Sequence, residues 1–111
     1  MERAVAFWSE ALSLEPVWFD EAENGFTILR PPSGEGTRVA IQQSDTAADP
    51  HPRHHVDLIV DTAAEQSAEV DRLVSIGATL VDWDLYPDDP DFVVLADTEG
   101  NRFCVVDASH D

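Results

Sequence analysis

LADTEGNRFCVVD, residues 95–107, decides how this chain is read. The apolar run Phe92 to Ala96 enters an Asp97-Thr98-Glu99-Gly100 turn, and Arg102 to Val106 leaves it. The run is short and bounded by turn residues, which predicts a buried strand. Beyond the turn, Arg102, Cys104 and Val106 alternate with Phe103 and Val105, the period-two pattern of a second strand. The same punctuation recurs 64 residues upstream, where Gly36 and Arg38 stand as Gly100 and Arg102 do. That offset also maps Leu12 onto Ile76 and Ser13 onto Gly77. One offset shared by a helix end and a turn-to-strand entry predicts an internal repeat.

Working outward, residues 2–14 read as an amphipathic helix with Val5, Trp8, Ala11 and Leu12 inward. Pro16 forbids its continuation, and Val17 to Asp20 should be extended. Asn24-Gly25 is a hairpin signal, followed by a strand over Phe26 to Arg30. After a loop at 31–36, Thr37 to Ser44 is the next strand, with Val39 and Ile41 alternating against Arg38, Ala40 and Gln42. Residues 45–53 form a crossover. His54 to Asp61 is expected as a strand with Val56, Leu58 and Val60 on one face and His55, Asp57 and Ile59 on the other. Thr62 and Glu65 make a capping box for a helix running to about Ile76, with Val70, Leu73 and Val74 inward and Gly77 as its stop. Thr79 to Leu85 should be a strand, and Tyr86 to Asp91 an acidic loop. Trp8 and Trp18 are expected in the core.

The order is α-β-β-β, then β-α-β-β-β. Subtracting 64 from His54 falls before residue 1, so the first half lacks the opening strand of the second. The chain is therefore expected to be one α+β domain over residues 1–111, with a first module at 1–44 and a second at 54–107.

AVAFWSEALSLEP (4–16), HHVDLIVD (54–61) and LADTEGNRFCVVD together resemble the vicinal oxygen chelate superfamily, in its actinobacterial glyoxalase-like or bleomycin-resistance-like branch. The resemblance covers nearly the whole chain. It implies two βαβββ modules of mixed sheet curled into a half-open cup, here without the first strand of the first module. It is weakly specific for reaction, because the superfamily spans isomerases, dioxygenases, epimerases, thiol transferases and drug binders. In metal-dependent members four ligands project into the cup, and the resemblance places them as follows. The first lies on the absent strand. The fifth-strand histidine, six residues before an aspartate, corresponds to His55. The eighth-strand glutamate, four residues after the turn glycine, is replaced by Cys104. The fourth-strand glutamate is replaced by Gln42, although the strict repeat offset from Cys104 points to Ala40. His55 and Gln42 are thus the candidate metal ligands. A divalent ion is conceivable, but the set is incomplete for the harder ions of this chemistry and lacks a carboxylate base.

Strand parity locates the lining without the resemblance. If Val56, Leu58 and Val60 meet the helix, His55 and Asp57 face the cup, with Arg102 and Cys104 from the last strand and Arg38 and Gln42 from the fourth. Trp83 is a candidate aromatic wall. Each has a plainer reading: His55 bonding Asp57, Cys104 as a small core residue, Arg38 and Arg102 paired to carboxylates. Arg38 and Arg102, if unpaired, would suit a ligand carboxylate or phosphate.

Six arginines, no lysine and 23 acidic residues give a net charge of −17. This disfavours nucleic acid and anionic membranes and rules out lysine Schiff-base chemistry. One cysteine permits no intrachain disulfide, and no apolar run is long enough to span a bilayer, so cytoplasmic residence is expected. The expected function is binding of a small organic molecule in the cup without an intact catalytic metal. The alternatives are a metal-dependent lyase, isomerase or dioxygenase-type enzyme, and a ligand-free dimerisation module. A homodimer is expected to cover the vacated sheet edge, unless a misassigned start codon accounts for the missing strand.

Overall fold

The structure, a computed structural model, describes residues 1–18 and 25–110, with the side chain of Trp18 outside that set. The expectations for Asp20, for Asn24 in the hairpin turn and for the burial of Trp18 therefore fall outside the described residues. The chain divides into two units, Met1–Ala47 and Ala48–Asp111, parted inside the expected crossover. Both mix helix and sheet, giving an α+β protein.

The first unit holds α1 (Glu2–Leu12), β1 (Glu15–Trp18), β2 (Phe26–Arg30) and β3 (Val39–Gln42), with an antiparallel sheet in the order β1-β2-β3. Ala4, Val5, Phe7, Trp8 and Ala11 recur at helical spacing and are buried. Ser13 ends the helix in the left-handed region, φ 54°, and the Leu14 N–H closes back onto the Ser9 carbonyl at 3.0 Å. Pro16 is tolerated because β1 is an edge strand and can lack one N–H. Thr27 and Leu29, one pleat apart on β2, are fully buried.

The second unit holds β4 (Asp57–Val60), α2 (Ala63–Ser75), β5 (Thr79–Leu80), β6 (Phe92–Ala96) and β7 (Arg102–Asp107). Its sheet order is β4-β7-β6-β5, with β4 parallel to β7 and the other pairs antiparallel. Thr62 Oγ1 accepts the Glu65 N–H at 3.1 Å, and Glu65 reaches back to the Asp61 N–H at 2.9 Å. The exit matches that of α1: the Ala78 N–H meets the Leu73 carbonyl at 2.9 Å across Gly77, φ 125°.

The sheet registers carry the repeat into the tertiary structure. Ile28 faces Ala40 as Val94 faces Cys104. Cys104 lies 64 residues after Ala40, but Val94 lies 66 after Ile28, because the β2–β3 connection is two residues longer. The strand that the second unit adds beside β7 has no counterpart beside β3 among the described residues.

Three expectations need correction. The strand expected from His54 begins at Asp57, because residues 51–56 after Pro50 and Pro52 run as bend and coil. The strand expected over 79–85 stops at Leu80. One further bond forms, from the Val81 N–H to the Val94 carbonyl at 3.3 Å. The Val94 N–H, which a longer strand would claim, goes instead to the Tyr86 hydroxyl at 2.7 Å. Finally, Val74 is 42% exposed, and Leu73 is the buried centre of α2. The inner face continues through Gln66, whose Nε2 donates to the Asp91 and Val105 carbonyls at 3.0 Å each. Seven residues keep Gln66 and Leu73 on one stripe, and one more residue rotates Val74 away from it.

Candidate functional site

β7 alternates cleanly. Phe103 and Val105 are buried, while Arg102, Cys104 and Val106 are half-buried and look the other way. Opposite Cys104 lie Val94 of β6 and Asp57 of β4. In a parallel pair such neighbours share a face, so Asp57 stands beside Cys104. His55, two residues before Asp57, bonds it through Nδ1 to Oδ1 at 2.6 Å. Phe92 and Val94 share this face with Val106, and the loop residues Trp83, Leu85 and Asp91 close over it with Pro52. They enclose a cavity of about 510 Å³ built wholly from the second unit.

The cavity thus has an apolar wall and a polar end, the composition of a small-molecule site. The polar end holds His55, Asp57, Cys104 and Arg102. Burial, and then the adjacent Asp57 carboxylate, push the Cys104 thiol up to about 11. It therefore carries its proton at neutral pH and is not an activated nucleophile. Three donors, one each from His55, Asp57 and Cys104, lie within 4.8 Å of one another. A metal held there would have to break the His55–Asp57 hydrogen bond and displace the thiol proton, two costs that the arrangement itself imposes. As they stand, the three do not fit a catalytic divalent centre.

Arg102 donates from Nη1 to the Gly100 carbonyl at 3.1 Å, and its buried Nε has no partner among the described residues. Trp83 is held from outside. The His51 ring lies 5.1 Å from it, and His51 Nε2 bonds Asp84 at 2.8 Å. That bond holds the Asp84 carboxyl below its ordinary value.

Of the residues expected to line the cup, His55, Asp57, Trp83, Arg102 and Cys104 meet in this cavity. Arg38 and Gln42 lie exposed in the first unit, Gln42 paired to Phe26 on β3 and Arg38 reaching the Gly34 carbonyl at 3.4 Å. His54 is exposed outside any strand. Reading the sequence missed Phe92 and Val94, because a continuous apolar run has no parity of its own. It also missed His51, which meets Asp84 across 33 residues.

A family model described as glyoxalase-like domain matches residues 1–106. No curated protein matches the chain. Among solved structures, the fosfomycin resistance protein FosX from Mesorhizobium loti is similar at a TM-score of 0.68 and 14% identity, covering 100% of this chain and 83% of its own. A lactoylglutathione lyase from Agrobacterium tumefaciens gives 0.59 and 19%, covering 97% and 85%. A glyoxalase-related enzyme from Fulvimarina pelagi gives 0.65 and 16%, covering 96% and 78%. At these identities the likeness is one of fold.

Proposed function

Because the chain belongs to the glyoxalase-like domain family, we propose that it is a small-molecule-binding protein of the vicinal oxygen chelate superfamily that works without a resident catalytic metal. The observation that carries the reading is the 510 Å³ cavity, apolar on its wall and polar at one end. Two features support metal independence. The His55–Asp57 bond and the protonated Cys104 satisfy one another without an ion. The residue in register with Cys104 in the first unit is Ala40, which offers no side-chain donor.

The test is metal analysis of purified protein after exposure to zinc, manganese and nickel and then dialysis, with His55→Ala alongside. We expect no stoichiometric ion in either. Retention of one ion per chain, lost in His55→Ala, would overturn the reading and favour a metal-dependent lyase, isomerase or dioxygenase-type enzyme. The approach of three donors within 4.8 Å is what recommends that second reading. A homodimer belongs to the proposal too, the edge of β3 being unpaired among the described residues where that of β7 carries β4. Sedimentation at micromolar concentration should show a dimer, and a monomer would remove it.

A further inference from the structure

We propose that Arg102 is the anion-binding end of the cavity, and that the ligands are small, singly charged carboxylic acids with an apolar, preferentially aromatic body. The proposal rests on the cavity-binding reading above and names its ligand class. Arg102 is half-buried and lines the cavity. It forms no ion pair among the described residues, in a chain with 23 acidic residues and only six arginines. The nearby carboxylates are engaged elsewhere. Asp57 is bonded to His55, and Asp97 holds its own turn through the Glu99 and Asn101 N–H groups at 2.9 Å each. A buried guanidinium N–H without an acceptor is unfavourable, and a carboxylate would supply one in the geometry that the planar fork matches.

The rest of the lining sets the other half of the ligand. Trp83, Leu85, Phe92, Val94 and Val106 present apolar and aromatic surface, and His51 steadies the Trp83 ring from outside. The charges of the lining set the third property. Arg102 stands against Asp57 and Asp91, so a second negative charge on the ligand would meet two carboxylates with no further cation. A monoanion satisfies Arg102, and a phosphate dianion is repelled.

The experiment titrates isotope-labelled protein with benzoate and phenylacetate, their neutral amides, and phenyl phosphate, following backbone amide shifts in wild type, Arg102→Gln and Arg102→Lys. The carboxylates should bind wild type about tenfold or more tightly than the amides, with shifts centred on residues 83–94 and 102–106. Arg102→Gln should weaken carboxylate binding by about tenfold to a hundredfold and leave amide binding within about twofold. Arg102→Lys should restore part of the loss, and phenyl phosphate should bind more weakly than benzoate. Equal binding of acid and amide, or carboxylate binding unchanged in Arg102→Gln, would overturn the assignment. Amides that bind while acids do not would end the Arg102 proposal and leave the cavity reading standing. No cavity shift with any probe would end both. The spectrum of each variant reports its fold. If Arg102→Gln unfolds, the acid-to-amide ratios of wild type and Arg102→Lys decide.

Discussion

The two units end their helices with the same hydrogen bond, at different conformational cost and over different interiors. Leu14 to Ser9 and Ala78 to Leu73 are equivalent closures, displaced by the same 64 residues that relate Arg38 to Arg102. In the second unit the left-handed position is a glycine; in the first it is Ser13, whose Cβ makes φ 54° unfavourable. At the repeat position of the fully buried Leu73 stands Ser9, whose buried Oγ has no partner among the described residues. At the position of Val93 stands Thr27, fully buried with an unpartnered Oγ1. Only the second unit, with its fourth strand and polar residues on β4 and β7, builds the cavity. A repeat conserves backbone closure and sheet register, while side chains at matched positions diverge in chemistry.

The largest effect that would sharpen this comparison is expected at its most asymmetric position. Leu73→Ala should cost about 2–5 kcal/mol in chemical denaturation, because it opens a cavity at a fully buried centre. Ser9→Ala at the matched position should be neutral or slightly stabilising, since it removes a hydroxyl with no partner. Equal losses at both sites would mean the two interiors are not so different.

The next contrast is chemical. With its thiol at about 11 instead of the ordinary 9.0, Cys104 holds about a hundredfold less thiolate at pH 8 than an unperturbed cysteine. Its alkylation by iodoacetamide should be slower to match, and should accelerate as pH rises toward 11. Ala40 is exposed, so Ala40→Cys in a Cys104→Ser background should react at an ordinary rate. Similar rates at positions 40 and 104 would break the assignment.

Thr27→Val should stabilise the protein by about 1–2 kcal/mol, since a buried hydroxyl without a partner is replaced by a methyl of similar shape. The smallest gain is expected at the helix end, where Ser13→Gly should add about 0.5–1 kcal/mol by relieving the left-handed backbone. The reverse exchange is harsher. Gly77 sits at φ 125°, outside the left-handed well that Ser13 occupies, so Gly77→Ser should cost about 1–3 kcal/mol. Thermal denaturation of the two variants checks both signs.

Much of this was legible beforehand, because its causes are local. Helix ends, the 64-residue offset and the parity of residues 102–106 follow from repeating patterns over a few neighbours, and each has its counterpart in the structure. His55 and Asp57 could be placed on one face because they are two residues apart. The early end of β5 was not legible, because it depends on Tyr86 bonding the Val94 N–H, a competition invisible to residue pattern.

The sequence by itself determined the elements, their order, the repeat and the residues that a polar face would carry. Tertiary structure alone decided which of those residues share a cavity, which stand apart, and which are left unpaired. Asp57 meets Cys104 because β4 lies parallel to β7, Trp83 is steadied because the segment before β4 brings His51 to Asp84, and Arg102 lacks a carboxylate because its neighbours are spent elsewhere. Periodicity arises from the geometry of a single segment, whereas pairing across 33 or 47 residues depends on which edges meet, and that is settled only when the whole unit packs.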